Sequence, residues 1–246
     1  MNPENSPHSV LPSIWLRTIC ARRGLGLTDL QLAALDRFAS LLLGWNKRVN
    51  LISRKDEENL WTYHILHSIS ILFRVEIPTG LRVLDLGTGG GLPGIPLAIV
   101  RKDLTFTLLD ATKKKVDAVA NMVSQLGLTN VTTVWGRAED VGLKPGQYQQ
   151  YDIVVARAVG SLKDLAKCSH PFLRLPPTDQ SSDSRGTHGR IIFRHGLLTL
   201  KGGDLEAEIR QVKQVKSVTR ITTLPLELAE VDGLLASDKK ILVVEF

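Results

Sequence analysis

The chain has 246 residues, of which 43% are hydrophobic and 23% are charged, a balance typical of a folded globular protein. This composition excludes a disordered chain, and two cysteines are too few for a disulfide framework. Lys and Arg number 31 against 25 Asp and Glu, so the net charge of +6 favours a polyanionic partner without identifying it. No apolar run is long enough to cross a bilayer, and the polar N-terminus does not resemble a signal peptide. We therefore expect a cytoplasmic protein without a membrane partner.

Residues 1–79 are predicted to form an N-terminal helical cap. A first amphipathic pattern covers residues 11–23, and Thr28 is a suitable N-cap for the next helix. The apolar positions of that second helix are Leu35, Phe38, Leu42 and Trp45. Acidic residues 56–58 favour the start of a third helix. The residues predicted on one face of this third helix are Trp61, Ile65, Ser68 and Leu72.

Residues 80–246 are predicted to form an α/β domain, because short apolar strands alternate with helical patterns. The predicted strands cover 82–86, 104–109, 131–135, 152–156 and 197–201. The predicted helices cover 95–100, 116–126, 162–173 and 204–215. A closing antiparallel pair is predicted for 217–224 and 240–246, and a polar insertion for about 176–195. The order predicts a Rossmann-like, doubly wound and mostly parallel sheet.

A glycine-rich segment from Asp85 to Gly94 directly follows the first predicted strand. Its glycines permit a tight turn and a close approach of ligand to backbone, and the helix that follows presents free N–H groups. Ligands of such sheets bind at the carboxyl ends of the strands. The spacing Gly89-x-Gly91-x-x-Gly94 also matches a dinucleotide fingerprint, so the glycines alone leave the ligand open.

The residues around the loop favour S-adenosylmethionine (AdoMet) as the ligand. Asp85, two residues before Gly87, is placed to engage the positively charged methionine end of AdoMet, directly or through water. Asp110 ends the second predicted strand and is placed to accept hydrogen bonds from both ribose hydroxyls, although it would serve NAD equally well. No tyrosine has a lysine four residues later, so the proton-transfer pair of a short dehydrogenase is missing.

Two motifs of other methyltransferases are absent. The fourth strand ends at residues 155–158 without the Asn/Asp-Pro-Pro-aromatic motif that grips an exocyclic nitrogen. No cysteine follows a strand in the position used to attack a pyrimidine ring, and Cys168 falls within a predicted helix. No His, Asp or Glu cluster has the spacing of a metal site, so no metal is expected. Substrates that need covalent activation are therefore disfavoured.

Together, these segments resemble the RsmG (GidB) family of 16S ribosomal RNA guanine-N7 methyltransferases. The matching segments are Trp45–Leu51, His64 with Ser68, Asp85–Pro96, Leu108–Asp110, Arg137–Glu139, Ala156–Ala158 and Leu200–Asp204. The block from Gly87 to Pro96 is the specific one, because generic methyltransferases do not usually carry both of its prolines. The family often has Arg before this His and Asp before this Ser, where the chain has Tyr63 and His67. These departures leave the roles of Tyr63 and His67 open.

The resemblance implies a class I AdoMet-dependent methyltransferase domain beneath the helical cap. The methyl acceptor would be N7 of one guanine in 16S rRNA, free or in the small ribosomal subunit, and the enzyme would be a monomer. The cofactor contacts carried over from the family are Gly87, Leu92, Asp110, Ala138, Glu139 and Arg157, and the loop itself adds Asp85 and Gly89. Guanine N7 has a free lone pair and no proton to lose, so no general base is expected, and Arg157 is the candidate for positioning cofactor or substrate.

Two other functions remain compatible with the sequence. The first is a class I methyltransferase that acts on a small molecule or a protein, and strong salt dependence of substrate binding would distinguish an RNA substrate from these. The second is a non-enzymatic module that binds rRNA or a nucleotide. Cofactor-dependent methyl transfer to rRNA would exclude that module.

Overall fold

The computed structural model describes residues 12–175, 186–226, 228 and 239–246, and it begins with a helical cap. The cap consists of α1 (Pro12–Arg22), α2 (Asp29–Asn46), a 3-10 turn (Arg54–Asp56), a π-helical segment (Leu60–Leu66), α3 (His67–Ile69), α4 (Ile71–Arg74) and β1 (Val75–Glu76). The first two helices follow the prediction, except that residue 11 lies outside the described residues.

The remaining elements alternate between strand and helix, as predicted. The strands are β2 (Arg82–Leu86), β3 (Thr105–Asp110), β4 (Val131–Trp135), β5 (Ile153–Arg157), β6 (Ile191–Ile192), β7 (Gly196–Gly202), β8 (Arg220–Pro225) and β9 (Lys239–Glu245). The helices are α5 (Gly94–Val100), α6 (Lys113–Leu126), α7 (Ala138–Val141), α8 (Leu162–Ser169) and α9 (Glu206–Val212).

Seven strands form the central sheet in the order β4-β3-β2-β5-β7-β9-β8. Neighbouring strands from β4 to β7 are parallel, and β9 runs antiparallel to both of its neighbours. The sequence order reverses between β2 and β5, so the carboxyl ends of these two strands flank the crevice where an open α/β sheet binds its ligand. The predicted fold class and the closing antiparallel pair are confirmed.

The sheet is buried on both faces. Side chains alternate along β2, so Val83 packs in the apolar core on the cap side, whereas Leu84 packs in the core on the opposite side. On β5, Val155 and Val154 divide in the same way. The core on the cap side is continuous from α1 to the sheet. The cap therefore shares a core with the methyltransferase sheet, and the domain boundary at residues 79 and 80 stays a prediction.

Three predicted elements differ from the structure. The third helix is a π-helical segment that passes into two short α-helices, and all residues from 65 to 73 are buried rather than one face. The helix predicted over 162–173 ends at Ser169, because Pro171 has no N–H to continue the α-helical bonding. Part of the predicted insertion is ordered on the cap, since β6 pairs in parallel with β1. Residues 176–185 of that insertion lie outside the described residues.

The second cap helix, α2, begins with a capping box that also connects the cap to helix α5. The backbone N–H of Gln31 donates to Thr28 Oγ1 at 3.2 Å, and the Thr28 N–H donates to Gln31 Oε1 at 2.8 Å. Gln31 Nε2 in turn donates to the carbonyl of Val100 at the end of α5, at 2.9 Å. The capping box of α2 is thus hydrogen-bonded to the C-terminal end of α5.

We expect Thr28→Ala to lower the free energy of unfolding by about 1 kcal/mol, because it removes the acceptor of a helix N-cap. Urea denaturation measures the change. Thr18→Ala is the matched control, since Thr18 is exposed within α1 and its hydroxyl donates only to Ile14 O. This control should stay within about 0.5 kcal/mol of the parent protein. Equal effects of the two variants would contradict the capping role.

Candidate active site

The glycine loop is held against the end of the neighbouring strand. The backbone N–H groups of Gly87 and Thr88 both donate to the carbonyl of Leu109 on β3, at 2.9 Å. Gly87 has a φ of 75°, and a Cβ there would lie 2.6 Å from a methyl carbon of Val159. Glycine is therefore required at this position by both conformation and space. The loop is a fixed element of the site.

Asp85 lies beneath the loop and is fully buried. Its Oδ2 accepts hydrogen bonds from Thr88 Oγ1 at 2.6 Å and from the Gly94 N–H at 2.8 Å. Its Oδ1 has no hydrogen-bond partner among the described residues. Burial raises the pKa of Asp85 to about 6, and the two hydrogen bonds oppose that shift. The carboxylate shapes the loop and keeps one oxygen available.

Asp110 stands at the carboxyl end of β3, beside the loop. Its Oδ2 accepts the Gly89 N–H at 2.9 Å, and its Oδ1 accepts the Thr112 N–H at 2.8 Å. Each carboxylate oxygen has more than one lone pair, so both can accept a further hydrogen bond from a ligand. Asp110 therefore connects the glycine loop to the start of α6 and still presents acceptors on the side predicted for a ribose.

The cap supplies a wall of the site that was not predicted from the sequence. Asn46, buried at the end of α2, accepts the N–H groups of Leu51 and Ile52 at 2.8 and 3.0 Å. Its Nδ2 donates to Glu57 Oε1 at 2.6 Å. A Cβ at Gly90 would lie 3.2 Å from Leu51 Cβ, so the two loops almost touch. An asparagine among the apolar positions at the end of a helix was the available signal for this contact.

These parts enclose a cleft of about 520 Å³, which we call the cofactor cleft. The predicted site residues on its wall are Gly87, Gly89, Leu92, Asp110 and Arg157. The wall residues not predicted for the cofactor are Leu51, Ile52, His64, Thr88, Gly90, Ala111, Lys115, Ala158, Val159 and Gly160. Asp85 lies beneath the cleft, and Ala138 and Glu139 begin α7 beyond the end of β4, outside its wall. The roles of all these residues toward a cofactor stay predictions.

Arg157, the last residue of β5, connects the sheet to the cap. Its Nη1 donates to the carbonyl oxygen of Tyr63 at 2.9 Å, and its Nη2 lies 2.8 Å from His64 Nδ1. Because a guanidinium only donates, Nδ1 is the acceptor, and the proton of a neutral His64 is on Nε2. That nitrogen lies 3.6 Å from Asp56 Oδ2, within ion-pair distance but too long for a hydrogen bond. Burial lowers the pKa of Arg157 to about 10, so it remains a cation at neutral pH.

Two neighbouring histidines are kept neutral. Burial, followed by the charge of Arg157, lowers the pKa of His64 to about 4 and that of His67 to about 3.

Within residues 12–175, 186–226, 228 and 239–246, no three His, Cys, Asp or Glu side chains form a metal-binding group. Every helix in these ranges is too short or too polar to span a bilayer.

The two histidines predict a loss of stability on acidification. In the unfolded chain their pKa values return to about 6.5. Unfolding therefore takes up protons below about pH 6.5, and the stability present above that value declines toward about pH 4. Asp85 has the opposite effect, since its raised pKa favours folding at lower pH, but one carboxyl group does not offset two histidines. Urea denaturation should show a loss of at least about 1 kcal/mol between about pH 7 and about pH 4.5.

His67→Gln should flatten this pH dependence, because it removes one of the two buried histidines. His170→Gln is the control, since His170 is exposed and the loss should persist. Stability that stays constant or rises on acidification in the parent protein would contradict the assignment of neutral buried histidines.

Comparison with known proteins identifies the family. Residues 31–178 match the GidB family, described as rRNA small subunit methyltransferase G. A ribosomal RNA small subunit methyltransferase G of Chlorobium luteolum is 35% identical over 98% of this chain and 94% of its own. The enzyme of the same name from Porphyromonas gingivalis is 39% identical over 74% of this chain and 75% of its own.

Among solved structures, the fibrillarin/Nop5p complex aligns with 74% of this chain and 79% of the matched chain. The TM-score is 0.50 and the identity is 11%, so this likeness shows the fold alone. The family match covers more than half of the chain, and the relatives match across most of their length. This chain belongs to the GidB family of small-subunit ribosomal RNA methyltransferases.

Proposed function

We propose that the chain transfers a methyl group from AdoMet to N7 of one guanine in 16S rRNA. The observation that carries the proposal is the cofactor cleft, whose walls are the glycine loop, the end of β3 and the end of β5. Family membership supplies the class of substrate, and the lowered pKa of His64 makes it a poor general base, which suits an acceptor nitrogen that has no proton to lose. The enzyme positions the two reactants rather than activating either by proton transfer.

The residues present fit AdoMet. A Cβ built on Gly89 meets nothing nearer than a carbonyl oxygen at 3.9 Å, so the loop leaves space above it. The unpartnered Oδ1 of Asp85 suits an ammonium group or a water molecule bound to one, and Asp110 suits ribose hydroxyls. Leu92 gives the wall an apolar side, and Ala138 and Glu139 lie at the same edge of the sheet. When bound, AdoMet supplies an electrophilic methyl group on a sulfonium.

Basic side chains near the cleft fit an RNA backbone. A depression of about 440 Å³ at the end of α2 is lined by Asn46, Lys47, Arg48, Asn50 and Arg54. Lys115 of α6 lies on the wall of the cofactor cleft itself. Because phosphate contacts release counterions, we expect substrate binding to weaken steeply as salt rises. A small-molecule substrate would show no such slope, and this separates the two kinds of methyltransferase.

The decisive experiment uses labelled AdoMet with 16S rRNA and with small ribosomal subunits from a strain that lacks this protein. Label in 16S rRNA, mapped to N7 of a single guanine, is the expected result. Label at another atom, or only in protein or a small molecule, would overturn the proposal. Comparing free rRNA with subunits identifies the true substrate. We further propose a monomer that acts in the cytoplasm, which light scattering and fractionation test.

Gly89→Val should weaken AdoMet binding more than tenfold, because the side chain would occupy space that the cleft leaves open. Gly89 has a φ of 55°, so valine there also adds backbone strain of about 1–2 kcal/mol. Gly127→Val is the matched control, since Gly127 has a φ of 63°, open space around its Cβ and a place at the far end of α6. Scanning calorimetry should show similar losses of melting temperature in the two variants. Titration calorimetry should show weakened AdoMet binding only in Gly89→Val. Unchanged affinity in Gly89→Val would refute this use of the loop.

Arg157→Ala should reduce methyl transfer at least tenfold, because it removes the group that joins the cleft wall to the cap. It should also lower the melting temperature, since His64 Nδ1 loses its charged donor. Arg174→Ala is the control, because Arg174 is likewise an arginine held by its guanidinium, in a salt bridge with Asp152 away from the cleft. The control should retain transfer within about twofold. Normal transfer by a destabilised Arg157→Ala variant would show that Arg157 has a structural role only.

A further inference from the structure

A second cavity of about 400 Å³ lies beside the cofactor cleft, at the carboxyl ends of β5 and β7. We call it the acceptor pocket. It shares His64, Arg157 and Ala158 with the cofactor cleft. The other residues that matter on its wall are Asp56, Tyr63, His67, Leu200, Lys201 and Lys239. A methyl acceptor must lie next to the methyl donor, and the shared wall gives this pocket that position.

Two histidines on the wall of the acceptor pocket, His64 and His67, have an Nε2 without a hydrogen-bond partner in the described part of the chain. The Nε2 of His64 lies 3.6 Å from the Asp56 carboxylate, whereas His67 is the more buried of the two, at 7% exposure. Buried polar atoms normally have a partner, so an orphaned nitrogen on a cavity wall points to a ligand. A ring N–H of His67 donates to the carbonyl oxygen of Tyr63. Since Nε2 has no partner, that N–H is Nδ1–H, and the neutral ring presents a bare lone pair at Nε2.

The acceptor pocket therefore offers both kinds of hydrogen-bonding group. Asp56 and His67 are acceptors, whereas Arg157, Lys201 and Lys239 are donors. Lys201 is held by Glu208 Oε2 at 2.9 Å and by the carbonyl of Gly160 at 2.8 Å, so it is a fixed donor. A phosphodiester of an RNA backbone would satisfy the cations, but it has no hydrogen to donate to a buried imidazole lone pair. The lining favours a ligand with donors and acceptors on one rigid frame.

Guanine has this combination. Its N1–H and N2 amino group donate, and O6 accepts beside the N7 that takes the methyl group. Adenine lacks the N1–H and O6. Arg157 and Lys201 suit O6, which is a common target of basic side chains. The carboxylate of Asp56 and the lone pair of His67 suit the donor edge.

We propose that the acceptor pocket binds the guanine to be methylated, and that His67 Nε2 selects it by accepting a hydrogen bond from its donor edge. The inference rests on the proposed function, which it extends by naming the residue that distinguishes guanine. His67 makes no bond to the reacting atoms and is a specificity-determining residue.

The first test compares His67→Gln with His67→Met. Glutamine presents an amide oxygen near the position of Nε2, whereas methionine fills similar volume without a comparable acceptor. On small ribosomal subunits from a strain that lacks this protein, His67→Met should lose about tenfold in kcat/KM, the effect of one hydrogen bond, and His67→Gln should recover most of it. AdoMet affinity should stay within about twofold in both. His170→Met and His170→Gln repeat the changes at an exposed histidine outside both cavities and should have no effect.

Three results of the kinetic test would overturn the role of His67. These are full activity of His67→Met, equal losses in both His67 variants with native melting, and loss of AdoMet binding in His67→Met. The second would show that the ring matters by its volume, and the third that it acts on the cofactor side.

The second test reads binding without catalysis. Protein saturated with S-adenosylhomocysteine is titrated with guanosine monophosphate, adenosine monophosphate and inorganic phosphate, and NMR shifts or calorimetry report binding. The guanine nucleotide should bind at least fivefold more tightly than the adenine nucleotide. His67→Met should abolish that preference, and His67→Gln should retain it.

Phosphate that binds as well as the guanine nucleotide would show an anion site and refute the base pocket. Equal binding of the two nucleotides to the parent protein would refute it as well. Failure of the proposed function is recognised separately, because the parent protein would then leave rRNA unmethylated whatever the nucleotide titration shows.

Discussion

The structure depends on the contact between the Arg157 guanidinium and the cap. This one side chain extends from the end of β5 to the carbonyl oxygen of Tyr63 and the ring of His64. It thereby fixes the cap at the point where the cofactor cleft and the acceptor pocket share a wall. The next residue, Ala158, has a φ of 54°, a left-handed conformation that a non-glycine residue adopts at a cost of about 1–2 kcal/mol. The surrounding contacts hold Ala158 in this strained conformation.

The cap is part of the site as well as its cover. Asn46 holds the Leu51–Ile52 backbone against the glycine loop, and Arg157 holds the π-helical segment against the sheet. Residues of both contacts line the cofactor cleft, and His64 lines both cavities. The cap and the sheet share one apolar core, so cap position and cleft shape are set by the same packing. A change at Asn46 therefore alters the cleft without touching a residue predicted to bind the cofactor.

The sequence sufficed to predict what depends on local pattern. The strands from β2 to β5 follow from short apolar runs that alternate with helical patterns, and the glycine loop follows from its composition and its place after β2. The contacts between Asn46 and residues 51–52, and between Arg157 and the cap, join segments through the tertiary fold, which periodicity does not report. The sequence predicted one helix where the structure has a π-helical segment and two short α-helices, because apolar periodicity does not report a local change from i+4 to i+5 hydrogen bonding.

The same electrostatic arrangement explains why two histidines beside the site are not bases. The charge of Arg157 adds to burial in lowering the pKa values of His64 and His67, so both rings are neutral at physiological pH. A general base of this kind would hold its proton too weakly for efficient proton transfer near neutral pH. Neutral rings in fixed tautomers are instead good hydrogen-bond acceptors. For an acceptor nitrogen that loses no proton, the reaction needs alignment and discrimination, and Arg157 confines these histidines to those roles.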